Sequence, residues 1–158
     1  MISVVVTNID ASPIIQMFLK EPENISVKEG DNVTLLCSVE NRAGVVQWTK
    51  DDFGLGTSRD LQAYNRYRMM GKNEGTWNLE IVNVTLDDEA IYQCQVGATI
   101  DVQPIRSKYA KLTVITAPLP PVLSIASAKV LSKGEFFNAS CISIGGKPAP
   151  RIKWKRKS

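Results

Sequence analysis

The 158-residue chain contains no histidine, which removes at once the commonest general base and the commonest zinc ligand. Serine and threonine have no base partner, and no glycine-rich phosphate loop follows a strand pattern. The run Asp87-Asp88-Glu89 lacks the twelve-residue ligand spacing of a calcium loop and reads as a solvated corner. The chain is therefore read as no enzyme, with no metal and no other cofactor. Aromatic residues make up only 7% and do not interleave with basic ones, so there is no stacking platform for nucleic acid. No run of 18 apolar residues is present to span a bilayer. Residues 1–18 have no basic leader, and Asn8 and Asp10 interrupt their apolar stretch, so no signal peptide is recognised.

Cysteine is also sparse, with three in all, but its placement is informative. Cys37 and Cys94 lie 57 residues apart, with Trp48 eleven after the first and Tyr92 two before the second. Tyr92 sits in the run Asp88-Glu89-Ala90-Ile91-Tyr92-Gln93-Cys94. This framework predicts an all-β, immunoglobulin-like β-sandwich of I-set or V-like type, with a Cys37–Cys94 disulfide joining its sheets over a buried Trp48. A two-sheet domain of this size has a thin core, and closing a loop of that length contributes about 4 kcal/mol in the chain-entropy model.

Alternation supports the same fold. Val33, Leu35 and Cys37 alternate with Asn32, Thr34 and Leu36 at the period of a half-buried strand, and Val46 and Trp48 face inward on the next. Phe53-Gly54-Leu55-Gly56 reads as a short edge strand, and Arg66 to Met70 as another. Leu79, Ile81 and Val84 take the inward register before the corner at Leu86–Ala90, which is the one helix-like patch. Tyr92 and Cys94 then point in while Ile91, Gln93 and Gln95 point out. A hairpin loop from Gly97 to Ser107 returns into a last strand on which Ala110, Leu112 and Val114 face the core. Tyr92 is expected to bond back to the corner backbone, and Asp88 to pair with Arg68.

The domain reading is an N-terminal extension over 1–16, a complete sandwich over 17–116, a proline-rich linker over 117–122 and an incomplete second sandwich over 123–158. Trp154 follows Cys141 by 13 residues, near the spacing in the first domain, and the chain then stops, leaving Cys141 without an intradomain partner. A free functional thiol is the rival explanation. A half sandwich leaves one sheet face unburied. The net charge of +3 is set by the last eight residues, which carry five of the 19 basic residues and leave −2 for the first 150. That run is either an anionic-ligand patch or, through Arg151, Lys153 and Lys155, the solvated face of a strand. Disulfide use implies an oxidising compartment, and four Asn-x-Ser/Thr triplets, at Asn24, Asn32, Asn83 and Asn138, mark candidate glycosylation sites.

Once Gly44-Val45-Val46-Gln47-Trp48-Thr49-Lys50-Asp51 is placed on a strand, the sequence resembles the first domain of the Kirre/Neph cell-adhesion receptors, the relatives and partners of nephrin. Arg66-Tyr67-Arg68, Asn78-Leu79-Glu80-Ile81 and Ala110-Lys111-Leu112-Thr113-Val114 carry the same resemblance, which covers residues 17–115. It implies the extracellular part of a single-pass membrane receptor whose outermost domain docks on the same domain of a facing molecule, either homophilically or with a nephrin-type immunoglobulin receptor. The implied docking face is the outer surface of one sheet, and transfer by position nominates Gln47, Thr49, Phe53, Leu55, Gln93 and Gln95. A secreted or receptor-bound trap for a growth factor or glycosaminoglycan, using the basic run, is the alternative.

Overall fold

The structure, a computed structural model, describes residues 15–72, 74–125 and 132–155. Most of the N-terminal extension, Val130, and Arg156 and Lys157 of the basic run lie outside them. In chain order the strands are β1 (Met17–Lys20), β2 (Ile25–Lys28), β3 (Val33–Leu35), β4 (Ser38–Glu40), β5 (Val46–Lys50), β6 (Phe53–Gly56) and β7 (Tyr67–Met70). They continue with β8 (Asn78–Ile81), β9 (Ala90–Val96), β10 (Ile105–Arg106), β11 (Ala110–Pro118), β12 (Val122–Ile125), β13 (Ala139–Ile142) and β14 (Gly145–Lys147).

Two sheets face each other. The larger runs β14-β11-β9-β5-β6, with β2 beside β11 and β10 beside β9, and the smaller is β3-β8-β7. All these pairings are antiparallel except that β2 runs parallel to β11. Short ribbons β1-β4 and β12-β13 complete the described strands. Period-two alternation explains why the sheets stick: Val33, Leu35, Val46, Trp48, Leu79, Ile81, Tyr92, Leu112 and Val114 are all buried between them. The Cys37–Cys94 disulfide crosses this core with its Cα atoms 6.4 Å apart. Trp48 is fully buried, and its indole N–H donates to the Trp77 carbonyl at 2.7 Å, so the ring is packed with its polar edge satisfied.

The proline-rich stretch begins inside a strand. β11 continues to Pro118, and Gly145–Lys147 pairs with it as β14, with Thr116 opposite Lys147 and Pro118 opposite Gly145. Lys147 Nζ lies 2.6 Å from Glu89 Oε1, while Glu89 Oε2 accepts from the Val114 N–H at 2.9 Å. The lysine contact, first, and the amide hold the Glu89 carboxyl below its usual range. Val122, Leu123, Ile125, Ile142 and Trp154 are exposed, and among the described residues Cys141 is a free, half-buried thiol. Arg151, Lys153 and Lys155 are exposed but belong to no strand, which removes the strand-face reading of that run.

Candidate docking face

The corner beneath the sandwich is built around one carboxylate. Leu86–Asp88 makes a single 3-10 turn, and Asp88 is 1% exposed. Its oxygens accept from Arg66 Nη1 at 2.6 Å and Nη2 at 2.8 Å, from the Thr85 N–H at 2.7 Å and from the Tyr67 hydroxyl. Tyr92 Oη donates to the Asp88 carbonyl at 2.8 Å, the expected corner bond. The expected partner of Asp88 was wrong by two residues. Arg68 sits on β7 with its side chain 53% exposed and reaches Glu80 at 3.8 Å, because strand alternation sends it to the opposite face from buried Tyr67. Burial alone would raise the Asp88 pKa, but the Arg66 and Tyr67 hydrogen bonds and the Thr85 amide outweigh it and bring it down to about 2. Burial, then the bond to Asp88, pushes the Tyr67 phenol up to about 12.

Above this corner, β5 and β9 lie side by side with Gln47 opposite Gln95 and Thr49 opposite Gln93. All four therefore share the outer face. A relay of amides orders it: Gln95 Nε2 donates to Gln93 Oε1 at 2.9 Å, and Gln93 Nε2 donates to the Ser107 carbonyl at 2.7 Å. Gln93 is buried within the face, as is Thr49, whose hydroxyl donates to the Gln93 carbonyl at 3.5 Å, while Gln47 and Gln95 stay partly open. Gln47 lies flat over β6: a Cβ on Gly54 would fall 1.8 Å from its Nε2.

Leu55 does not belong to this face. It is buried in the core cluster, because the register of β6 against β5 turns Gly54 outward and Leu55 toward the opposite sheet. Phe53 is 78% exposed at the rim, beside Asp51 and Asp52, both at positive φ. Two exposed residues were not nominated for the face: Ile91 on β9, which points outward as expected, and Tyr109, whose hydroxyl donates to Asp52 Oδ1 at 3.1 Å. That carboxylate raises the Tyr109 phenol pKa. Outward alternation on the last strand was the signal for Tyr109, one residue before inward-facing Ala110.

Beside the amides, Val45, Gln47, Gln95, Pro104, Ile105 and Arg106 line a groove of about 270 Å³. None of the four sequon asparagines lines it, and all four are exposed. Asn24 and Asn32 accept from the Lys111 and Asn83 N–H groups through their carbonyl oxygens, which leaves the nitrogen that carries a glycan pointing elsewhere. Among the described residues no helix is long and apolar enough to cross a membrane, and no acidic or sulfur cluster could hold a metal ion.

The family description of the immunoglobulin I-set domain matches residues 16–114. The chain belongs to the immunoglobulin I-set family. The relatives of this I-set chain are immunoglobulin-superfamily proteins of the Kirre, roughest and SYG-1 type. It is 46% identical to the irregular chiasm C-roughest protein of Drosophila melanogaster over 88% of this chain and 18% of that protein. It is 43% identical to the synaptogenesis protein syg-1 of Caenorhabditis elegans over 88% of this chain and 20% of that one. The I-set chain thus spans about a fifth of the curated relatives it matches. The crystal structure of Duf (Kirre) D1 superimposes with a TM-score of 0.63 at 48% identity, covering 65% of this chain and 98% of that one. Rst D1-D2 gives 0.75 at 45% identity over 85% and 65% respectively.

Proposed function

We propose that this chain is an extracellular adhesion and recognition module of a membrane-anchored receptor. It docks through the outer face of β5, β6, β9 and β11 on the same face of a second copy or of a nephrin-type immunoglobulin receptor. The observation that carries the reading is the outer face itself: paired glutamines beside an open groove, ringed by exposed Phe53, Ile91 and Tyr109 and lined by no sequon. Apolar rim residues contribute about 25 cal/mol per Å² buried, and amides demand complementary partners and penalise wrong ones. The names of the relatives, one of them a synaptogenesis protein, support the same direction.

Within this reading Gln47, Gln95 and Phe53 touch the partner, Thr49 and Gln93 set the position of the amides, and Leu55 serves the core. Glycans at Asn24, Asn32, Asn83 and Asn138 leave the face open. The test is sedimentation analysis of wild type and Gln47→Ala, with folding checked by thermal melting. The variant is expected to weaken self-association or nephrin-type binding by about 1 kcal/mol or more, roughly fivefold. Unchanged association in a folded variant removes the face from the interface.

A further inference from the structure

Gln16 falls at the end of the segment set apart by sequence as an extension, yet it is 3% exposed. Its side chain joins two stretches of chain that are remote in sequence. Nε2 donates to the Gln103 carbonyl at 2.6 Å and to the Gly97 carbonyl at 3.2 Å. Oε1 faces the N–H groups of Ala43 at 3.3 Å and Gly44 at 3.5 Å. One amide therefore ties the loop before β5 to both ends of the hairpin between β9 and β10.

The two backbones are in close contact at this point. Gly97 N–H donates to the Val45 carbonyl at 2.8 Å, and a Cβ on Gly44 would lie 1.9 Å from the Gly97 oxygen. The hairpin closes on itself through Thr99 N–H and the Val102 carbonyl at 2.9 Å. It then runs directly into Pro104, Ile105 and Arg106, which form one wall of the groove, with Val45 and Gln47 in the other.

We propose that Gln16 is a positioning residue for docking: it sets the β9–β10 hairpin against β5 and so holds the groove in a preformed shape for the same face of a second copy of this chain. This rests on the docking reading above. An uncharged amide is the side chain that suits the site, since it offers two donors to two carbonyls and an acceptor to two N–H groups. Glutamate cannot donate to the carbonyls, and methionine, of similar length, can do neither. A hairpin held in its bound shape loses less conformational entropy when the partner arrives.

The test compares Gln16→Met with wild type and Gln47→Ala, reading amide hydrogen exchange and self-association on the same samples. Local opening is expected to speed exchange at Gly97 and Thr99 at least tenfold while Leu79 in β8 is unchanged, and association weakens about fivefold. Unchanged exchange at Gly97 and Thr99 overturns the proposal, as does faster exchange at Leu79 to the same degree, which would mark a general stability role. Faster hairpin exchange with unaltered association, in a background where Gln47→Ala does weaken it, separates the hairpin from docking and also overturns it. If neither variant alters association, the docking reading itself fails and this one with it. Gln16→Ala is the second variant should the methionine form not fold.

Discussion

Arg66 grips Asp88 with two hydrogen bonds, of 2.6 and 2.8 Å, from separate guanidinium nitrogens to separate carboxylate oxygens. The fork geometry makes this pair directional as well as ionic. Asp88 is almost wholly out of water while the Arg66 side chain stays 27% exposed, so the pair sits half inside the fold. Removing one partner strands the other charge.

Arg66→Ala is expected to cost about 3 kcal/mol of stability, the range for a broken buried pair. Arg68→Ala, whose long contact to Glu80 is solvent-screened, is expected to cost less than about 1 kcal/mol. Urea denaturation of both variants checks the contrast, and equal losses would return Arg68 to the corner.

The same carboxylate sets the acid limit. Its pKa is about 2 in the fold against an ordinary 3.8, so the folded state binds its proton less readily than the unfolded chain. The stabilisation, about 2 kcal/mol, is present above pH 4 and is lost as the pH falls from about 4 to 2. Tyr67 sets an alkaline limit of opposite form: its pKa is raised from 10.0 to about 12, so its contribution is intact below pH 10 and lost as the pH climbs through 12. Stability measured across both windows checks this, and in Asp88→Asn the acid step is expected to shrink.

Gly54→Ala gives a probe of the face that leaves the core alone. The new methyl meets the far end of the Gln47 side chain rather than backbone, so the amide swings away and the strand stays. Melting temperature is expected to change little while self-association weakens several-fold. Retained association would show that the Gln47 rotamer does not matter.

Reduction of the sulfur bridge is expected to remove about 4 kcal/mol, from the 57-residue separation of its cysteines. Denaturation of a Cys37→Ala/Cys94→Ala variant reads the same quantity.

Raising ionic strength is expected to alter docking only slightly, because amides and apolar side chains dominate the face. Titration in sodium chloride checks it. A steep loss would favour a polybasic contact through Arg151, Lys153 and Lys155 and the trap reading.

The core was legible because burial leaves a period. Val33, Leu35 and Cys37, then Val46 and Trp48, show the alternation that the two sheets require, and all five are buried. What alternation does not carry is the register of a two-glycine edge strand, so nothing in the pattern corrected the placement of Leu55 on the outer face by resemblance. Arg66 and Arg68 flank the same tyrosine, and only the bend before β7 decides which of them reaches the corner. Gln16 left no periodic trace at all: its partners are backbone groups of Ala43, Gly44, Gly97 and Gln103, and any sequence supplies those. The outward amides were nominated by resemblance, whereas the burial of Gln93 among them goes with its bond to the Ser107 carbonyl, 14 residues on, a tertiary contact.

Four consecutive residue pairs, from Leu112 opposite Ile25 to Ile115 opposite Lys28, run in the same direction along β2 and β11. Opposite pulls along β2 and β11 slide these two strands past each other lengthwise. Their rungs are then strained together instead of peeling singly, so the seam resists load as a block.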